Sequence, residues 1–162
     1  MNVAKAVHEV LSARGFKLAL AESCTGGMIA QQLTAFSGAS NYLLGSLVAY
    51  SNAWKEEFLG VSANTVETKG AVSREVVVEM LKGLFARTQA DYALAVSGIA
   101  GPLGGSEEKP VGTIWAALGR RGETPVAWTF HIEGNRETVI RGATAHLLEA
   151  LLKKVENDIR ST

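Results

Sequence analysis

Two apolar runs, residues 16–21 and 92–97, each empty into a turn too rich in glycine to be regular structure. The first turn is Ser23-Cys24-Thr25-Gly26-Gly27 and the second is Gly98-Ile99-Ala100-Gly101-Pro102-Leu103-Gly104-Gly105. After the first, Met28, Ile29, Leu33 and Phe36 recur at helical spacing, so the unit reads as strand, tight turn, helix. That unit favours an α/β fold, because a strand that feeds a helix packs that helix back onto a sheet.

The rest of the chain extends the pattern. Val3, Val7, Val10 and Leu11 share one helical face, Asn2 can cap it, and Gly15 can end it in the left-handed conformation. Residues 42–50 read as a buried strand followed by a short helix over 51–59, closed by Gly60. Ser73 can cap a helix whose Val76, Val77, Met80, Leu81, Leu84 and Phe85 form an apolar stripe. Residues 111–118 and 124–132 read as a hairpin about Gly119-Arg120-Arg121-Gly122, which adds an antiparallel pair. Asn135 caps a long last helix with Val139, Ile140, Ala143, Leu147, Ala150 and Leu151 inward. The expected architecture is a single α/β domain over 1–162, a three-layer α/β/α sandwich with a mixed, mostly parallel sheet.

Composition narrows the partners. Lys plus Arg and Asp plus Glu are 16 each, so no net field draws the chain to nucleic acid or an anionic membrane, and an anionic ligand must be caught locally. The single cysteine, Cys24, has no intramolecular disulfide partner, and the amino terminus reads as an amphipathic helix rather than a signal core. The expected compartment is the cytoplasm. No apolar stretch approaches the roughly 20 residues of a spanning helix.

In open α/β sheets ligands gather beyond the carboxyl ends of the strands, and both glycine turns leave such ends. Ser23 stands where strand becomes helix, so the amides of Thr25, Gly26 and Gly27 can face a developing oxyanion, an arrangement suited to acyl transfer. A plain helix cap is the competing reading of Ser23. A serine nucleophile needs a base. Only Asp91 and Asp158 could complete a Ser-His-Asp triad, and His8, His131 and His146 read as packing or surface groups without metal-ligand pairing. Lys55, just after Tyr50, is the remaining candidate, provided burial lowers its pKa. Cys24 beside the helix start is an alternative nucleophile. The 97–105 loop offers amides that can nest a phosphate or carboxylate, and it lacks both the Walker ending and the dinucleotide fingerprint. Arg136 and Arg141 on the last helix are each able to reach a phosphate.

Four blocks carry a family resemblance: AESCTGG at 21–27, Tyr50-Ser51-Asn52 with Lys55 and Leu59-Gly60-Val61, GAVSREVV at 70–77, and SGIAGPLGGSEEKPVGT at 97–113. Together they resemble the carboxy-terminal domain of the competence/damage-inducible protein CinA. The resemblance implies hydrolysis of nicotinamide mononucleotide to nicotinic acid mononucleotide and ammonia, in pyridine nucleotide recycling, with neither metal nor cofactor. By the same resemblance Ser23 matches the nucleophile, Tyr50 and Lys55 the activating pair, and Ser97 and Arg141 substrate contacts. Glu22, Cys24, Thr25, Gly26, Gly27, Gly98, Ala100, Gly101 and Gly105 complete the candidate site, with Glu22 the possible partner of the pyridinium. Leu103 and Asn135 depart from the residues usual in that family. A homodimer or higher homo-oligomer is expected from the family habit and from Trp115 and Trp128 in the hairpin. A nucleotide-binding module without catalysis is the alternative function.

Overall fold

The structure, a computed structural model, describes residues 2–162. Helix α1 (Val3–Arg14) starts where Asn2 accepts a hydrogen bond from the Lys5 amide and stops at Gly15, φ 68°. The chain then enters β1 (Leu18–Glu22), α2 (Met28–Thr34), β2 (Leu43–Val48), α3 (Asn52–Leu59), α4 (Ala63–Lys69) and α5 (Arg74–Arg87). It ends with β3 (Tyr92–Gly98), β4 (Thr113–Arg120), β5 (Val126–His131) and α6 (Arg136–Arg160).

The five strands form one sheet in the order β2-β1-β3-β4-β5. β1 pairs in parallel with β2 and β3, whereas β4 runs antiparallel to both β3 and β5. Four strands therefore point one way and β4 alone the other, so the sheet is mixed and mostly parallel in direction. Two apolar clusters cover its faces. Leu20, Leu94 and Ile114 meet Leu11 of α1, Ile29 of α2 and Leu147 of α6 on one side. Ala21, Ala93 and Ala117 meet Leu59 of α3 and Val77, Met80 and Leu81 of α5 on the other. The alanines on this second face allow α5 to sit close to the sheet, since a small side chain brings the packed layers together.

Several elements differ from their sequence reading. β2 is an edge strand with Leu44 and Gly45 exposed, not a buried one. Neighbours occupy both sides of β1 and of β3, and apolar content alone does not tell a marginal strand from a central one. α4 has no buried residue, so it carries no apolar stripe from which to infer a helix. β4 runs on through Gly119 to Arg120, which moves the hairpin turn to 121–125. In α6, Ile140 and Ala150 are only half-buried, and Thr144, Leu148, Leu152 and Val155 join the buried face. Trp115 and Trp128 are each partly buried and pack against the core from opposite faces of the sheet. The most exposed large apolar groups are instead Leu44, Tyr50, Trp54, Phe58, Leu103 and Val126. Among the described residues no helix is long and apolar enough to cross a membrane.

Candidate active site

The strand order places the site. From β1 the chain crosses to β2 on one flank, and the later return to β3 lands on the other, so the carboxyl ends of β1 and β3 border a topological switch point. Register then sets which residues meet there. Glu22 pairs with Val48 and Ala21 with Ala95, so Ser23, the next residue along β1, lies between the ends of two neighbouring strands. A cleft of about 620 Å³, its open mouth included, lies beyond those ends. Ser23, Cys24, Tyr50, Asn52 and Lys55 line one wall; Ala71, Val72, 97–101, Leu103, Gly104 and Arg136 line the others.

Lys55 reaches this cleft from α3. Ser51 caps that helix by accepting from the Trp54 amide, and Gly60 closes it, so Lys55 projects from its middle. A close approach fixes the helix against α5. A Cβ on Gly83 would stand 1.9 Å from the Leu59 carbonyl oxygen, so only glycine permits this contact. Lys55 is 1% exposed, and its Nζ lies 3.0 Å from Ser23 Oγ, 2.9 Å from the Ala49 carbonyl oxygen and 3.5 Å from that of Tyr50. No carboxylate pairs with it. Burial lowers its pKa from the ordinary 10.5, with the nearby Cys24 thiol a smaller opposing influence. An uncharged amine has two N–H groups and one lone pair, and this environment offers two carbonyls that can only accept and one hydroxyl that can donate. The hydroxyl can also accept, so the same three partners fit an ammonium, and it is burial without a counter-charge that disfavours the charged form.

The remaining expected site residues divide. Ser23 is not the cap of α2: that position is Gly27, and the Ser23 hydroxyl is on Lys55 instead. Burial pushes the Cys24 thiol up to about 12, which leaves it protonated at neutral pH and a poor nucleophile. Gly26 and Gly27 do not present free amides. Gly26 donates to the Ser23 carbonyl oxygen at 3.0 Å and Gly27 to Glu22 at 3.1 Å. Glu22 is not available to a pyridinium, because it is wholly buried and its carboxylate accepts five hydrogen bonds from the protein. Thr25 is one of those five donors and stays out of the cleft wall.

Tyr50 approaches Lys55 only through its backbone carbonyl; its hydroxyl takes a 2.7 Å hydrogen bond from Arg136. Arg136 also donates to the Gly101 carbonyl oxygen at 2.8 Å, so it joins the Tyr50 wall to the glycine loop. Arg141 lies outside the cleft, on the exposed side of α6, paired with Glu137 at 2.9 Å. Spacing along one helix could not rank these arginines, and only the docking of the α6 start beside the loop separates them. Ser97 lines the cleft but gives its hydroxyl to the Ala71 carbonyl oxygen at 2.8 Å. That bond secures the 70–72 segment, a wall that the apolar pattern did not reveal. Two loop glycines are steric requirements. A Cβ on Gly98 would come within 2.4 Å of Ile114 Cδ1 and 2.9 Å of Cys24 Sγ, and one on Gly105 within 2.8 Å of the Val111 nitrogen.

No histidine reaches the cleft. His8 packs against Phe36 and Tyr42, and His146 stacks on Phe130 and accepts from the Trp128 indole. Asp91 holds the Lys17 amide and Asp158 holds Tyr92 and Lys154, so no Ser-His-Asp triad assembles. Among the described residues no group of three or more His, Cys, Asp or Glu side chains is placed to hold a metal ion.

A family model described as the CinA C-terminal domain matches residues 1–155, nearly the whole chain. The chain belongs to the CinA C-terminal domain family. A relative in this family from Escherichia coli K12, named nicotinamide-nucleotide amidohydrolase PncC, is 44% identical over 151 residues, which span 93% of this chain and 92% of the relative. A CinA-like protein of Shewanella loihica is 47% identical over 155 residues, 96% of this chain and 37% of that longer protein. Among solved structures, the competence damage-inducible protein A of Klebsiella pneumoniae superposes with a TM-score of 0.90 at 38% identity, covering 95% of each chain. The CinA-family fold thus carries, in this chain, a buried serine–lysine pair at its switch point.

Proposed function

We propose that the chain hydrolyses the carboxamide of nicotinamide mononucleotide, giving nicotinic acid mononucleotide and ammonia, with Ser23 as nucleophile and neutral Lys55 as base. The observation that carries the mechanism is the 3.0 Å approach of an acid-free, fully buried lysine amine to the serine hydroxyl. The substrate comes from likeness to the amidohydrolase relative.

In the first step Lys55 Nζ takes the Ser23 Oγ proton while Oγ bonds to the carboxamide carbon. Collapse breaks the carbon–nitrogen bond, and the Lys55 proton leaves with the amide nitrogen as ammonia. Water then attacks the Ser23 ester; Lys55 takes one proton from it and returns a proton to Ser23 Oγ as the acid departs. The oxyanion rests on backbone amides of the cleft wall at Cys24, Ala100 and Gly101, since those of Gly26, Gly27 and Ile99 are already engaged.

The phosphate sits on Arg136, whose free guanidinium donors adjoin the amino-terminal end of the 25-residue α6, where the helix dipole favours an anion. Asn135 caps that end through the Thr138 amide at 2.9 Å, and it does so without adding a negative charge beside the phosphate. Tyr50 orients Arg136 rather than relaying the serine proton.

Ammonia release from nicotinamide mononucleotide tests the reading, with nicotinamide riboside as the substrate lacking phosphate. We expect Arg136→Gln to raise KM about tenfold or more for the mononucleotide, as loss of a charged hydrogen-bond partner does, and Arg141→Gln to leave KM near the parent value. Binding without ammonia release would make the chain a nucleotide-binding module instead.

A further inference from the structure

Glu22 is the least exposed ionisable side chain beside the cleft, and the mechanism above does not use it. One of its oxygens accepts from Thr25 Oγ1 at 2.7 Å and from the Gly27 and Ile29 amides at 3.1 Å each. The other accepts from the Ala30 amide and from Ser46 Oγ, both at 3.0 Å. All five groups are donors, so the side chain acts here purely as an acceptor. Three of them are amides at the start of α2, whose cap residue, Gly27, has no side chain to satisfy them. The carboxylate therefore caps α2 from the preceding strand. It also ties residue 22 to residues 25 and 27, which encloses Ser23 and Cys24 in a ring closed by one side chain. The Gly26 amide bond to the Ser23 carbonyl oxygen tightens that ring further.

We propose that Glu22 is a positioning residue for the nucleophile: its carboxylate holds the 23–27 turn in the one backbone arrangement that keeps Ser23 Oγ on Lys55 Nζ. The inference rests on the reading of Ser23 as nucleophile. Its particular consequence is a split between two hydroxyl donors to the same carboxylate. Thr25 is on the nucleophile turn, whereas Ser46 is on the neighbouring strand β2 and only steadies the carboxylate from behind.

The test compares Thr25→Val with Ser46→Ala in the full chain, reading kcat, KM, the unfolding midpoint and the rate at which phenylmethanesulfonyl fluoride labels Ser23. Each variant removes one hydrogen bond, so the two should lower the midpoint by similar amounts. Thr25→Val should lower kcat and the labelling rate about tenfold or more with KM little changed, and Ser46→Ala should keep both within about twofold of the parent. Thr25→Ser restores the donor and should recover most of kcat. Equal kcat and equal labelling in Thr25→Val and Ser46→Ala, at matched loss of midpoint, would overturn the inference while leaving the nucleophile in place. A parent protein that neither releases ammonia nor takes the label at Ser23 would overturn the nucleophile reading, and this inference with it.

Discussion

An ammonium ion at the position of Lys55 would have two backbone carbonyls and one hydroxyl for company and no counter-charge, so folding favours the uncharged amine. The same fact links stability to pH. Because the folded-state pKa lies below the ordinary 10.5, the unfolded chain binds more protons between those two values, and stability rises with pH across that window. Below the lowered pKa both states are protonated and the penalty is constant; above 10.5 it is gone. We expect the urea stability of the parent, relative to Lys55→Met, to increase from the lowered pKa towards 10.5, and kcat of the parent to rise through that lowered pKa as the base becomes available. Titration of urea midpoints and kcat over the same buffers checks both. A flat stability difference together with activity unchanged into acid would show that Lys55 titrates as an ordinary surface amine.

Elements hold this pair together more than local sequence does. β1 ends beside β2 and β3 in a register that delivers Ser23 to the switch point, and α3 brings Lys55 only because Gly83 lets α5 touch it at the Leu59 carbonyl. Gly83→Ala should force the helices apart and cost about 2 kcal/mol or more, as overpacking of a close contact does. Activity should fall beyond what the loss of folded protein explains, since Lys55 moves with α3. A denaturation curve paired with kcat per folded molecule measures this, and a variant with parental kcat and midpoint would remove Gly83 from the account.

The helices with apolar stripes, α1 and α5, were legible in the residues, as was the strand-turn-helix around Ser23, because periodicity and capping are local signals. α4 was not, having no buried face, and neither was the edge position of β2, which depends on strand order. The same division runs through the site. Ser23 stands in a turn that the chain announces and Lys55 in a block that carries the family resemblance, but the choice of Arg136 over Arg141 and the employment of Glu22 as a cap are tertiary facts. Glu22 shows the limit clearly. Next to a nucleophile it reads as a group for the ligand, and only the five donors around it show that it serves the backbone.

At the scale of the whole molecule, a mixed sheet covered on both faces leaves one concave region where two parallel strands end together, and the polar groups of that region converge on it. Cys24 and Ser23 both line this cleft, so the covalent step can be assigned by direct observation. The decisive measurement is acid quenching of the enzyme within a single turnover of nicotinamide mononucleotide, followed by peptide mapping and ammonia determination in the same samples. We expect an acyl ester on Ser23, absent from Ser23→Ala and retained in Cys24→Ala. An adduct on Cys24, or stoichiometric ammonia from Ser23→Ala at the parental rate, would contradict the serine–lysine mechanism.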